Sequence, residues 1–318
     1  MWLYLAVLVG LYLLRRWHRE RQRVPDLAEK YVLITGCDSG FGNLLARQLD
    51  ARGLRVLAAC LTEPGAAQLR AAASSRLQTL LLDVTSSESI AAAAAWVEGR
   101  VGDRGLWGLV NNAGVVHPTA PNEWLRKEDF VRVLNVNLVG LVEVTLSLLP
   151  LVRRARGRVV NVASILGRIA FYGGGYCPSK YGVEAFSDSV RRELRPFGVH
   201  VAIVEPGYFR TGMTDIARNL EALERAWERA PAGVRESYGQ HYFESLRGLF
   251  EESLRTRCNT DLSLVTGCME HALTAAHPRT RYAAGWDARL HYIPLSYLPT
   301  ALADRLLDPG LPRPAQAP

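Results

Sequence analysis

From Tyr31 onward the chain alternates short runs rich in Val, Ile and Leu with longer amphipathic stretches, and that alternation leaves few ways to fold. Candidate strands are Tyr31–Thr35, Arg55–Cys60, Leu77–Asp83, Leu106–Asn111, Arg158–Ala163 and Val199–Glu205, with helical patterns between them that include Gly42–Arg52, Ser87–Val101, Lys127–Arg154 and Gly182–Phe197. Apolar strands separated by helices imply a parallel sheet covered on both faces, an α/β, doubly wound, Rossmann-type architecture. In such a sheet ligands bind beyond the carboxyl ends of the strands, and every motif discussed below falls at such an end.

At 318 residues, 48% hydrophobic and 22% charged, the chain suits one catalytic domain with appendages rather than a disordered protein. The net charge of +7 does not indicate a nucleic-acid partner, because much of it is local: Arg15, Arg16, Arg19, Arg21 and Arg23 crowd one stretch beside an apolar run, which fits lipid headgroups. The five cysteines are odd in number and lack CxxC or Cys/His spacing, so neither a disulfide framework nor a metal site is expected. The scattered histidines make no metal pair, and Trp286-Asp287 reads as closing a late strand or turn.

Residues Met1 to Leu14 are apolar without a break, and as a helix they span about 21 Å, short of a hydrocarbon core of about 30 Å unless flanking residues snorkel. No basic region precedes the run and no small-residue cleavage site precedes the arginines, so a retained anchor is favoured over a cleaved signal. The charges follow the apolar run, which places the remainder in the cytosol. The expected organisation is an anchor over 1–17, a basic linker over 18–29, a catalytic domain over 30–290 with a helical, aromatic lid over about 208–258, and an apolar, Pro-rich segment over 291–318.

Thr35-Gly36-Cys37-Asp38-Ser39-Gly40-Phe41-Gly42 follows the first strand and opens a helix, with glycines where a backbone must approach a pyrophosphate at a helix N-terminus. The Gly-x-x-x-Gly-x-Gly spacing, Asn111-Asn112-Ala113-Gly114 after the fourth strand, and Tyr176-Cys177-Pro178-Ser179-Lys180 together resemble the short-chain dehydrogenase/reductase family over roughly Lys30 to Thr211. At closer range the apolar N-terminus, Gly173-Gly174-Gly175-Tyr176-Cys177 and His277-Pro278-Arg279-Thr280-Arg281-Tyr282 resemble its membrane-bound retinol and 3α/17β-hydroxysteroid dehydrogenase subgroup, extending the likeness to nearly the whole chain.

Tyr176 and Lys180 stand four apart on one helical face, and a tyrosinate can take the hydroxyl proton when an alcohol is oxidised. A phenol near its ordinary pKa of about 10 needs roughly 4 kcal/mol of differential stabilisation to act near neutrality, for which a lysine ammonium and a nicotinamide cation are sources. The resemblance makes Tyr176, Lys180, Ser164 and Asn137 a catalytic tetrad: Ser164 touches the substrate oxygen, and Asn137 holds a water linking Lys180 to solvent. It also implies cofactor contacts from Gly36, Asp38, Ser39, Gly40, Phe41, Gly42, Ala113, Gly114, Tyr176 and Lys180, with Asp83 at the adenine, Asn111 on the sheet or the ribose, and Pro206, Gly207 and Thr211 at the nicotinamide amide.

The second strand ends in Ala59-Cys60-Leu61, without an acid for a ribose 2′-hydroxyl or a base for a 2′-phosphate. Asp38 is expected near that ribose, where its charge repels a phosphate, so NAD is expected with NADP left open. The implied reaction is oxidation of retinol or a hydroxysteroid at the endoplasmic reticulum membrane, with a homodimer through the helices near Lys127–Arg154 and Gly182–Phe197. A reductase of lipid carbonyls using NADPH, and a non-catalytic dinucleotide-binding module, are the competing expectations.

Overall fold

A computed structural model describes residues 2–170, 173–307 and 312–317; Met1 of the apolar run and Leu311 and Pro318 of the Pro-rich tail lie outside them. Seven parallel strands form one sheet in the order β3-β2-β1-β4-β5-β6-β7: β1 (Tyr31–Thr35), β2 (Arg55–Cys60), β3 (Gln78–Leu81), β4 (Gly108–Asn111), β5 (Arg158–Val162), β6 (His200–Pro206) and β7 (Arg281–Ala284). The order reverses between β1 and β4, which opens a crevice at their carboxyl ends.

Every residue of β1, β4 and β5 is buried, because helices cover both faces and each strand must be apolar on both sides. One face, with Val32, Ile34, Val110 and Val160, packs against Leu45 and Leu49 of α2 (Gly40–Ala51) and Val265, Met269 and Leu273 of a helix late in the chain. The other, with Leu33, Leu57, Leu109 and Val159, packs against helices from the middle of the chain.

The remaining helices are placed by their caps and apolar faces. After α1 (Trp2–Arg21) and α2 come α3 (Glu63–Ala71), capped by the Thr62 hydroxyl, and α4 (Ser87–Val101), capped by that of Ser86. The expected single helix over Lys127–Arg154 is instead α5 (Lys127–Leu134), a π-helical turn at Asn135–Gly140 and α6 (Leu141–Arg154). Gly140 lies against the Val84 carbonyl, where a side chain would not fit, so the chain is pinched at that point. Among the described residues, 127–154 is long and apolar enough to cross a bilayer, yet Leu141, Val144, Leu148 and Leu151 are buried and make it a core helix of the domain.

α7 (Tyr176–Leu194) starts six residues before the expected Gly182. The segment expected to form a lid consists of α8 (Ile216–Arg229), α9 (Ala232–Tyr238) and α10 (Gln240–Arg257), so residues 208–215 are a loop with a short 3-10 turn rather than part of a helix. Then follow α11 (Ser263–Thr274), β7, a π-helical turn running into α12 (Ile293–Leu295), and α13 (Thr300–Leu307). The late segment does not dangle beyond residue 290: Tyr292, Leu295 and Ala303 are buried against the domain.

α1 stands clear of the domain, with Trp2 80% and Leu8 64% exposed. Its helix extends through Arg21, so most of the basic residues belong to the helix rather than to a linker. Only its end is fastened. Val24 N donates to Thr274 O at 2.9 Å, Arg279 pairs with the Glu20 carboxylate, and His271 Nε2 meets the Glu20 carbonyl at 2.9 Å. A carbonyl only accepts, so Nε2 carries the proton and Nδ1 accepts from the Tyr282 hydroxyl at 2.8 Å.

Candidate active site

The glycine turn closes β1 onto the fourth strand by backbone contact. Gly36 has a left-handed φ of +70°, and a Cβ there would lie 2.8 Å from Ala113 Cα. Gly42 faces the Gly36 carbonyl, where a Cβ would overlap it. Asn112 staples the two elements by donating from Nδ2 to the carbonyls of Thr35 at 2.9 Å and Gly36 at 3.0 Å. Thr35 Oγ1 accepts from the amides of Asn112 and Ala113, both at 3.0 Å.

Ser39 precedes α2 but makes no side-chain cap bond, which leaves the first amides of the helix open to an anion. A narrow glycine-walled cradle leading to an uncapped helix N-terminus fits a dinucleotide pyrophosphate. Ser39 and Gly40 line this turn, and Thr211 comes back onto it, its side chain 3.7 Å from the space a Cβ on Gly40 would fill. Gly114 faces Met213 of the same returning loop. Phe41 points elsewhere, into an edge contact with Phe209 at 5.7 Å, so only its backbone can face a ligand.

Asp38 reaches across to the end of β2. Its carboxylate accepts from Leu61 N at 2.8 Å, Thr62 N at 3.0 Å and Thr62 Oγ1 at 2.7 Å. This puts a fixed negative charge where the general architecture keeps the acid for a ribose 2′-hydroxyl, although the acid comes from the glycine turn and not from the strand. Asp83 is exposed and accepts from Thr85 N and Oγ1 at 2.8 and 2.7 Å, bonds that hold its carboxyl below the usual range. Asn111 turns into the core and donates to Thr145 Oγ1 and Asn161 Oδ1, both at 2.8 Å, which joins β4 to β5 and α6. Of the two roles expected for Asn111, its side chain is placed for the sheet.

Ser164 and Tyr176 meet beyond the end of β5, and Lys180 lies directly beneath. Ser164 Oγ accepts from Leu166 N at 3.1 Å and is also hydrogen-bonded to the Tyr176 phenol. Lys180 is buried with its ammonium 5.6 Å from the Tyr176 ring centre, and it donates to Val162 O at 2.8 Å. Burial pushes the Tyr176 phenol up to about 12 against the pull of Ser164, and pushes Lys180 down to about 8.

Asn137 sits in the π-helical turn. Its Oδ1 accepts from Val115 N at 2.8 Å, while Nδ2 donates to Val115 O at 2.8 Å and Ser179 Oγ at 3.0 Å. Ser179 in turn donates to Tyr176 O at 2.6 Å, so the amide fixes the first turn of α7 to the loop after β4. The Asn137 side chain thus ties the loop after β4 to α7, and a π-helical turn in a long helix commonly marks a functional position.

Pro206 ends β6, and Gly207 N donates to Ala284 O at 2.9 Å. The Asp287 carboxylate fills the space beside Gly207 and accepts from Tyr208 N at 2.8 Å, closing the turn after β7. Ile165, Leu166, Ile169, Tyr208 and Leu295 make an apolar wall around Tyr176. The helices expected to form the lid are held by a separate aromatic cluster in which Trp124 and Trp227 lie 4.7 Å apart and Trp227 stacks on Phe243 at 5.2 Å. A groove lined by His117, Arg132, Arg218 and Arg225 contains neither Tyr176 nor Ser164 and is separate from the reaction centre.

Residues 30–221 match the model of the short chain dehydrogenase family. The chain belongs to that family. This short-chain dehydrogenase is 66% identical over 317 residues to 17-beta-hydroxysteroid dehydrogenase type 6 of Homo sapiens and 63% identical over 317 residues to retinol dehydrogenase 16 of Homo sapiens, in each case across 100% of both chains. Among solved structures, a short-chain dehydrogenase from Streptomyces avermitilis superposes with a TM-score of 0.63 at 28% identity, covering 82% of this chain and 90% of that one. A Burkholderia phymatum family structure in complex with NAD superposes with a TM-score of 0.67, covering 90% of this chain and 97% of that one. At 23% identity the latter likeness is one of fold. The protein is therefore an oxidoreductase of this family.

Asn112, Ser179 and Met213 had not been expected at the site. Asn112 stood inside a recognised motif, but nothing in the sequence says which carbonyls it faces. Ser179 lies between Tyr176 and Lys180 and reads as an ordinary helical serine until Asn137 is brought against it.

Proposed function

We propose that this short-chain dehydrogenase oxidises a lipophilic alcohol, retinol or a 3α- or 17β-hydroxysteroid, with NAD, using Tyr176 as the base. The observation that carries the reading is the convergence of Ser164, Tyr176 and Lys180 at the carboxyl end of β5 within an apolar cluster. Full-length likeness to a hydroxysteroid dehydrogenase and a retinol dehydrogenase supports the substrate class.

Bound NAD would supply the hydride acceptor and the positive charge of its oxidised ring. The residues of the chain do the rest. Ser164, with one lone pair occupied by Leu166 N–H, carries a single proton that meets the Tyr176 phenol in the ligand-free site and would turn to the substrate oxygen when an alcohol is bound. Tyr176 takes the hydroxyl proton. A phenol pushed up to about 12 is roughly 5 units from neutrality, or ~7 kcal/mol, which the Lys180 ammonium and the cofactor must cancel together. The backbone of Asn137 at the π-helical turn is the proposed water site that reconnects Lys180 to solvent. Asp38 favours NAD, because a 2′-phosphate at the end of β2 would meet its carboxylate.

The exposed apolar face of α1 serves as the anchor in the endoplasmic reticulum membrane, with the following arginines keeping the domain in the cytosol. A homodimer forms through α6 and α7, where Leu146 and Tyr181 are exposed. The test is NADH formation by microsomes carrying the full chain, with all-trans-retinol, a cis-retinol and a 3α-hydroxysteroid, NADP run beside NAD, and Tyr176→Phe as control. Turnover should favour NAD and fall at least about a thousandfold in Tyr176→Phe. Equal turnover with NADP, or an active Tyr176→Phe enzyme, would sink the corresponding part of the reading.

A further inference from the structure

One helical turn beyond Lys180 on α7 stands Glu184, also buried. Buried carboxylates are rare unless paired, and this one is only half satisfied. Its Oε2 accepts from Arg281 Nη2 at 2.8 Å, whereas Oε1 is buried without a hydrogen-bond donor among the described residues. The elements packed around it bring further charges. Arg281 of β7 also binds Asp188 at 2.9 Å and approaches Glu205 of β6 at 3.7 Å, and Glu205 accepts from Arg168, in the loop after β5, at 3.1 Å.

The cluster holds three carboxylates, Glu184, Asp188 and Glu205, against three guanidiniums, Arg168, Arg281 and Arg191, the last bound to Asp188 at 3.2 Å. Along α7, Glu184 is the carboxylate of this cluster nearest to Lys180. Contact is close on this side of the helix: a Cβ on Gly167 would lie 2.8 Å from Lys180 O and 3.1 Å from Glu184 Cγ, so the loop that starts at Ser164 rests on the Lys180–Glu184 turn.

We propose that Glu184 is a positioning residue for catalysis, supplying the negative charge one helical turn from Lys180 that keeps the buried lysine in the ammonium form on which the Tyr176 phenolate depends. The inference rests on the reading of Lys180 as the electrostatic partner of Tyr176. Burial drives Lys180 down to about 8 and Glu184 opposes that drift. Burial and Glu205 push Glu184 itself up to about 7 against the pull of Arg281 and Arg168. As pH rises through about 7 the carboxylate ionises, and its field on Lys180 strengthens just below the pH at which the lysine would lose its proton.

The chain has only three lysines, Lys30, Lys127 and Lys180, so the full-length protein carrying 13Cε-lysine in detergent micelles gives three titratable signals. Loss of one in Lys180→Met assigns it. The titration midpoint of Lys180 should fall by about one pH unit in Glu184→Gln, and Glu184→Asp should restore most of that fall. It should stay in place in Asp188→Asn, which loses a bond to the same Arg281 two turns from Lys180. An unmoved midpoint in Glu184→Gln, or an equal fall in Asp188→Asn, overturns the proposal. Should Glu184→Gln fail to fold, the wild-type protein still decides: the Lys180 signal must show a minor inflection near pH 7 from Glu184, and its absence is equally fatal. Retained activity in Tyr176→Phe would instead remove the reading on which the inference rests.

Discussion

The two ends of the active site are built by opposite rules. At the glycine turn, backbone meets backbone: Gly36 against Ala113, Gly42 against the Gly36 carbonyl, and Asn112 across both. At the lid, side chain meets side chain: Trp124, Trp227, Tyr238, Tyr242 and Phe243 form a cluster of rings, flanked by the half-exposed Arg247–Glu224 pair. The first arrangement admits no added atom at Gly36 or Gly42 and suits a ligand of fixed shape. The second can exchange one apolar side chain for another while keeping the pocket, which suits a variable alcohol.

The sharpest way to break this comparison is to add one carbon at each kind of site. Gly42→Ala puts a methyl into the Gly36 carbonyl, an atom that cannot rotate away. NADH binding, followed by fluorescence titration, should weaken by at least about a hundredfold, a change of roughly 3 kcal/mol. Gly99→Ala is the control, since a Cβ there meets nothing within 4 Å on α4, and it should leave binding unchanged while stabilising the fold by up to about 1 kcal/mol. Normal NADH binding in Gly42→Ala would mean that the turn can open and that the contrast is false.

Trp227→Ala tests the other side. Removing this ring from its stack on Phe243 should destabilise the lid by up to about 3–5 kcal/mol, while the rest of the domain keeps its own core. The expected result is KM for the alcohol raised about tenfold or more with NADH affinity within twofold of wild type. If NADH affinity falls in parallel, the two ends are one cooperative unit.

The difference also explains what the sequence could and could not reveal. β1, β2 and β5 were readable to within a residue because buried parallel strands carry short runs of mostly apolar residues. The glycine turn and the Tyr176–Lys180 spacing were readable because backbone approach and helical periodicity restrict which residues can serve. β7 was missed as a full strand because only alternate residues of Arg281–Ala284 are buried, which leaves no apolar run to see. The π-helical turn at Asn135–Gly140 depends on the Val84 carbonyl, about 50 positions away in the chain, and no local pattern announces it. Nothing in the local pattern of α7 marks Glu184 as buried, because its neighbours come from β6 and β7.

Asp38 belongs to the glycine turn, yet the task proposed for it concerns selectivity, which would join the two rules. Asp38→Asn keeps acceptor bonds at the end of β2 but removes the charge. The preference for NAD over NADP, read as the ratio of kcat/KM values, should fall about tenfold, or roughly 1.4 kcal/mol. An unchanged ratio would move the choice of nucleotide to residues outside the turn.

The smallest expected effect lies where α1 joins the domain, a contact that is neither backbone-locked nor aromatic. Arg279, with Arg16 assisting, holds the Glu20 carboxyl down to about 2 from its ordinary 4.5. A carboxylate held below its unfolded value contributes stability above about pH 4.5 and loses that contribution as pH falls toward about 2. Because Glu20 and Arg279 are 19% and 39% exposed, solvent screening limits the contribution to about 1 kcal/mol or less. Glu20→Gln should therefore melt slightly below wild type at pH 7, and the gap should narrow as pH falls below about 4.5. The absence of any gap at pH 7 would assign the stabilisation of this junction to the uncharged contacts, Val24 with Thr274 and His271 with the Glu20 carbonyl, which the substitution leaves in place.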